Sequence, residues 1–216
     1  MKTQRPFRTL ILLAALAASP VTAQTIDLAP PGYASRLSGG AGNTDRNVVF
    51  QALQTFALTS AGIRVDPIVT ASSPFTLTAW LYSMTGVQTR GPLLATASQF
   101  HAGTTLQFYD VPLLFPFPLI SGQLYNIAFT VNGGWGSGRY NMEFYDFNYP
   151  FNSAVNIGTW VRVIDGGAGT AFNNSVMPHV RLNALEATAV PEPASVVLLA
   201  TGLLGVFAAA RHRFRS

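Results

Sequence analysis

Phe75-Thr76-Leu77-Thr78-Ala79-Trp80-Leu81-Tyr82 alternates along its length: Phe75, Leu77, Ala79 and Leu81 form one set, and Thr76, Thr78, Trp80 and Tyr82 the other. Successive side chains leave a β-strand on opposite sides. A period of two therefore marks a strand with one face in a core and the other toward water. The pattern returns in Tyr125, Ile127, Phe129 and Val131, in Tyr140, Met142 and Phe144, and in Val180, Leu182 and Ala184. Weaker strands are expected over 48–59, 63–66, 93–98, 104–111 and 159–164. Glycine and proline clusters punctuate these runs: Gly39-Gly40-Ala41-Gly42, Ser72-Ser73-Pro74, Gly91-Pro92, Gly133-Gly134 and Gly166-Gly167.

No segment shows an amphipathic helical period. About nine short strands with frequent turns predict an all-β fold, an antiparallel β-sandwich of jelly-roll-like form. Phe115-Pro116-Phe117-Pro118 reads as a bent loop or an edge segment, because proline gives no N–H to a ladder. The sandwich is expected to occupy 24–185, followed by a short tether over 186–193.

The formal charge of +4 and the basic isoelectric point of 9.8 suggest a cationic protein, but the charge sits at the ends. Lys2, Arg5 and Arg8 open the chain, and Arg211, Arg213 and Arg215 close it. Segment 24–189 holds seven Arg against eight Asp and Glu. Nucleic-acid binding, which needs cations clustered on the folded domain, is therefore not expected. The absence of cysteine excludes disulfides and thiolate metal sites, so the domain must be held by its core alone.

Basic Met1–Arg8 is followed by the apolar run Leu10–Ala18 and by Val21-Thr22-Ala23, which places small residues just before Gln24. That is the order of a secretory signal peptide over 1–23, with cleavage between Ala23 and Gln24. At 1.5 Å per residue the apolar run reaches only about 14 Å, too short to cross a bilayer.

At the other end, 194–210 is uncharged and long enough, at about 26 Å, to be read as one transmembrane helix. The basic cluster 211–216 that follows belongs on the cytoplasmic side, which leaves the main domain outside. Before the helix stands Val190-Pro191-Glu192-Pro193, whose two prolines hold an extended segment and forbid helix across it.

This ending, Val190-Pro191-Glu192-Pro193-Ala194-Ser195, then an apolar run containing Gly202 and Gly205, then Arg211, Arg213 and Arg215, resembles the PEP-CTERM sorting signal. The resemblance implies exosortase as a partner, which reads the Pro-Glu-Pro tripeptide. It also implies an exopolysaccharide-producing Gram-negative host. The protein would be exported through the inner membrane, anchored there transiently by its C-terminal helix, and delivered to the surface or beyond. No Leu-Pro-x-Thr-Gly signal for a Gram-positive sortase occurs.

No catalytic constellation stands out between the ends. His101 and His179 are far apart in sequence, and neither a Ser-His-acid set nor a ligand cluster for a metal is visible. Trp135 replaces the first glycine of a nucleophile elbow at Gly136-Ser137-Gly138. Glu143 and Asp146 are the best carboxylate pair, but three residues apart on a strand they point to opposite faces, so solvated charges or an Arg139 partner are expected. No cofactor is implied. Trp80, Tyr82 and Trp135 are candidates for stacking on sugar rings, against the plainer reading that large rings pack inward. The expected function is that of a non-enzymatic surface or matrix protein associated with exopolysaccharide. The alternative is a carbohydrate-active enzyme on a β-sandwich.

Overall fold

The computed structural model describes residues 22–30, 32–39, 44–68, 74–135, 139–146, 155–170, 176–186 and 202–203. Residues 1–21 of the expected leader, Val190–Pro193, Arg211, Arg213, Arg215 and all of 194–210 except Gly202 and Leu203 lie outside these residues. Among the described residues no helix is long and apolar enough to cross a membrane.

Thr22–Ala187 forms one unit, whose described residues make thirteen strands: β1 Ala23–Asp27, β2 Ser35–Gly39, β3 Arg46–Ala52, β4 Phe56–Pro67, β5 Phe75–Gly86, β6 Thr89–His101, β7 Gln107–Leu119, β8 Leu124–Val131, β9 Tyr140–Asp146, β10 Val155–Ile157, β11 Val161–Ala168, β12 Val176–Pro178 and β13 Val180–Glu186. They make two antiparallel sheets. One, sheet B, runs β10-β11-β3-β8-β5-β6. The other, sheet A, runs β1-β13-β4-β9-β12, with β2 also on β9 and β7 also on β4. From β3 onward the chain repeatedly crosses from one sheet to the other, so neighbours in a sheet are mostly distant in sequence.

The alternation in β5 does what its period requires. Phe75, Leu77, Ala79 and Leu81 are buried, and Thr76, Thr78, Trp80 and Tyr82 are half-buried on the opposite face. The core joins them to Val48, Phe50, Phe56, Leu58, Ile63, Ile127, Phe129, Met142 and Leu182. Gly166 lets the layers approach, since a Cβ there would stand 2.8 Å from Met177 Cγ on the facing sheet.

Two expectations change. The strand expected over 48–59 is two strands in different sheets: β3 ends at Ala52, and β4 begins at Phe56 and absorbs the strand expected at 63–66. A turn held by Leu53 N–H to the Trp160 carbonyl (2.7 Å) carries the chain between layers. The Phe115–Pro118 segment is an edge, as its prolines demand, but it lies within β7. Opposite β4, the register steps from Ser60–Pro112 to Leu58–Phe117. One residue of β4 therefore faces four of β7, and Leu113–Pro116 is pushed out of the ladder.

Candidate functional site

On the outer face of sheet A three strands meet at one point. β4 pairs with β13 as far as Ile63, and then with β9 from Val65 to Pro67. β9 pairs with β4 up to Met142, and then with β12 from Phe144 to Asp146. β12 and β13 are separated by His179 alone and form one path, so three paths are paired two by two, all antiparallel, which three strands lying flat cannot satisfy together, and the sheet forks. His179 occupies the fork, between β12 and β13. Its N–H donates to the Glu143 carbonyl (2.8 Å), and its own carbonyl accepts from Arg64 N–H (2.9 Å).

The side chains of the same residues close the junction. Imidazole Nδ1 of His179 lies 2.7 Å from Glu143 Oε2, and Nε2 lies 2.8 Å from Asp27 Oδ1. Arg64 Nε stands 3.2 Å from Glu143 Oε2, and Ser35 Oγ donates to Glu143 Oε1 at 2.6 Å. With a carboxylate on each ring nitrogen, the full set of bonds is made when both nitrogens carry a proton. Phe108 and Tyr145 meet the imidazole edge-on at 4.7 and 5.1 Å. The Arg181 guanidinium lies 4.5 Å from the Phe108 centroid and binds Asp110 with two nitrogens.

Burial opposes ionisation of Asp27 and of Glu143. For Asp27 the His179 bond, the Ala29 amide and the nearby cations outweigh that cost, so its carboxyl titrates below the ordinary value. For Glu143 the bonds from His179 and Ser35 and the charges of His179 and Arg64 do the same. Burial, reinforced by the Glu143 and Asp27 charges, pushes the Tyr145 phenol up to about 12.

This arrangement is a staple rather than a nucleophile site. Ser35 donates to Glu143 and not to the imidazole, so no Ser-His-acid relay exists here. The imidazole fills the space between the two carboxylates. Among the described residues no group of His, Asp and Glu is arranged to hold a metal ion.

The sequence-derived aromatics fare differently from one another. Trp80 stands half-buried on the outer face of sheet B, its Nε1–H donating to Thr130 Oγ1 at 3.0 Å. Thr96 and Ala128 lie directly across from it, and Thr78 and Ser98 share a 2.8 Å hydroxyl bond one step along the strand. Tyr82 shares this face, but the Arg90 guanidinium covers its ring at 4.5 Å. Arg90 is fixed in turn by Asp45 Oδ2 (2.8 Å) and the Gly169 carbonyl (3.1 Å).

Trp135, a candidate for sugar stacking, follows the plainer reading instead and is 1% exposed in the core. Its Nε1–H donates to the Phe129 carbonyl (3.2 Å), and its ring meets Tyr140 edge-on. Tyr145 and Trp160 are buried as well. Glu143 is corrected, since its partners are Arg64, His179 and Ser35 rather than Arg139. Asp27 and Arg64 were not legible as site residues. They lie on other strands, and Asp27 is 152 positions from His179. Ala23 and Gln24 form the first two residues of β1 and pair with Leu185 and Ala184.

Residues 189–213 match the PEP-CTERM protein-sorting motif. The motif implies export, a membrane-anchored C-terminus before cleavage, and processing by exosortase. No curated protein matches the chain. Among solved structures the chain is similar to the T13 infectious bursal disease virus particle, with a TM-score of 0.30 and 15% identity over 78% of this chain and 36% of that one. It is likewise similar to the VP2 subviral particle of that virus, with a TM-score of 0.28 and 16% identity over 91% of this chain and 50% of that one. The chain thus spans between about a third and half of the length of these structures.

Proposed function

We propose that the chain is a non-enzymatic protein of the cell surface or extracellular matrix of an exopolysaccharide-producing Gram-negative bacterium, associated with polysaccharide through the outer face of sheet B. In this reading the leader 1–23 is removed, Gln24 begins the mature chain, and 194–210 spans the inner membrane with Arg211, Arg213 and Arg215 in the cytoplasm. Mass spectrometry of the protein from its native host, reading both termini, tests these steps. An intact leader would refute the first.

The observation that carries the polysaccharide reading is the setting of Trp80. A half-buried indole lies among the hydroxyls of Thr78, Thr96, Ser98 and Thr130, with no charge in its cross-strand row. An aromatic face beside hydroxyl donors and acceptors suits the C–H and O–H groups of a sugar. One such contact contributes about 0.5–1.5 kcal/mol by analogy with aromatic pairs. A contact of that size alone gives a Kd of only about 0.1 M or weaker, so bonds from the surrounding hydroxyls and avidity across many surface copies must supply the rest.

Catalysis is not part of this reading. Glu143 and Asp27 converge, but an imidazole lies where a glycosidic bond would have to sit. Affinity electrophoresis of the mature chain in gels containing the host's polysaccharide decides the matter. Retardation that Trp80→Ala abolishes supports the proposal. No retardation, or retardation unchanged by that substitution, leaves a structural subunit without a sugar ligand.

A further inference from the structure

We infer that the Leu114–Phe115 tip of β7 is a membrane-docking surface, seated in the outer interface of the inner membrane while the sorting tail is still anchored there. The inference rests on the anchoring reading of the tail given above.

The tip is unusual among the described residues. Leu114 is 85% exposed and Phe115 is 75% exposed, the highest values among large apolar side chains. They crown the segment expelled from the β4–β7 ladder, while Leu113 and Phe117 at its base pack against the core. Pro112, Pro116 and Pro118 restrict the backbone around it, so little conformational freedom is lost when it is immersed. Ile120, 48% exposed, follows directly after β7. No charged residue occurs between Asp110 and Arg139, so the tip carries no ion of its own into the interface.

Register settles which end of the domain this is. Ala23 pairs with Leu185, Leu185 with Ala57, and Ala57 with Pro118, in one row across β1, β13, β4 and β7. At about 4.8 Å per strand the row is about 14 Å wide. The strand carrying the expected leader junction, the strand leading to the sorting tail and the foot of the apolar tip therefore share one end of sheet A. The sorting motif begins at residue 189, three positions beyond Glu186. Eight extended residues from Glu186 to Ala194 reach at most about 28 Å, which keeps this end near a bilayer that holds the tail. Arg64, Glu143 and His179 gather at the fork toward the other end, and Glu186, exposed at the end of β13, lies one row from the foot of the tip, where it can stay in the aqueous headgroup layer. An uncharged, rigid apolar projection facing the membrane fits insertion at the interface better than attraction to anionic headgroups.

The chain has no native cysteine, so single labels can be placed cleanly. The full chain is reconstituted by its C-terminal segment into nanodiscs of phosphatidylcholine with brominated acyl chains. A fluorescent probe is attached in turn to Leu114→Cys, Phe115→Cys, Leu203→Cys and Thr105→Cys, the last in the loop at the far end of β7. The expected result is strong quenching at 203, several-fold stronger quenching at 114 and 115 than at 105, and little at 105. Quenching at 203 with 114 and 115 no different from 105 overturns the docking surface and leaves the anchor intact. Equal quenching at 105, 114 and 115 also overturns it, because the domain then lies flat. No quenching at 203 refutes the anchor, and the docking surface with it.

Discussion

Ala23 stands opposite Leu185 in the antiparallel pairing of β1 with β13. The junction at which the leader is expected to be cut thus lies inside a strand of the folded domain. A peptidase needs that backbone unpaired, so a cut there would have to precede the docking of β1 on β13. Four pairs, from Gln24–Ala184 to Asp27–Arg181, remain to the mature chain. Ile26, 5% exposed, is the buried anchor of this strand. In the mature chain Ile26→Ala should lower stability by about 2–3 kcal/mol, read as a lower urea midpoint with an unchanged slope. An unchanged midpoint would mean that β1 contributes nothing to the fold.

His179→Ala should cost about 2–4 kcal/mol, because it removes the ring that bonds both carboxylates and leaves a gap in the fork. His179→Gln, which can satisfy one partner only, should fall between it and the parent. Chemical denaturation of the three chains at neutral pH orders them.

The carboxylates at this fork set the acid limb of stability. Both titrate in the folded chain below their ordinary values of 3.8 for Asp27 and 4.5 for Glu143. The unfolded chain therefore binds more protons in that range. The stability they contribute is complete above the ordinary values and disappears as pH falls through the lowered ones. Asp27→Asn should be less stable than the parent at pH 7 and converge with it as pH falls through the lowered value of Asp27. Parallel denaturation curves across that range check the sign.

Asp165 behaves in the opposite way. It is 1% exposed at an irregularity of β11, its carboxylate receives the Gly166 N–H at 2.7 Å, and burial pushes its pKa up to about 7. Between its ordinary value and 7 the folded chain holds a proton that the unfolded chain has released, so this group's contribution falls as pH rises. Asp165→Asn keeps the acceptor and removes the charge. It should stabilise the chain by roughly 1–3 kcal/mol at pH 8 and by little at pH 4. Thermal midpoints at the two pH values test this.

Gly62 faces Asp110 so closely that a Cβ would stand 2.2 Å from its Oδ1. Gly62→Ala should displace Asp110 from Arg181 and cost about 1–3 kcal/mol. The same change in an Asp110→Ala background should cost markedly less. Additive losses in that double-mutant cycle would refute the coupling.

The parts legible in the sequence are those written in short spans. β5 announced itself because one face of eight consecutive residues enters the core. The sorting tail was legible because its three parts adjoin one another. The break between β3 and β4 was hidden, since Leu53-Gln54-Thr55 has neither glycine nor proline and apolar residues continue on both sides. The fork was hidden for another reason. Asp27, Arg64, Glu143 and His179 belong to strands or junctions distant along the chain, and no local period records which of them will meet. Trp135 misled because glycines at 133, 134, 136 and 138 suggested an exposed loop, whereas its indole N–H found a buried carbonyl.

β13 is flanked on both sides, by β1 and by β4, and it is the strand that continues into the sorting tail. A pull applied through that tail runs along the axis of β13. Ladder hydrogen bonds lie across the strands, so the load falls on both ladders in shear, shared among many bonds at once rather than peeled one by one. A domain held to a cell by this end would resist drag through its strongest direction.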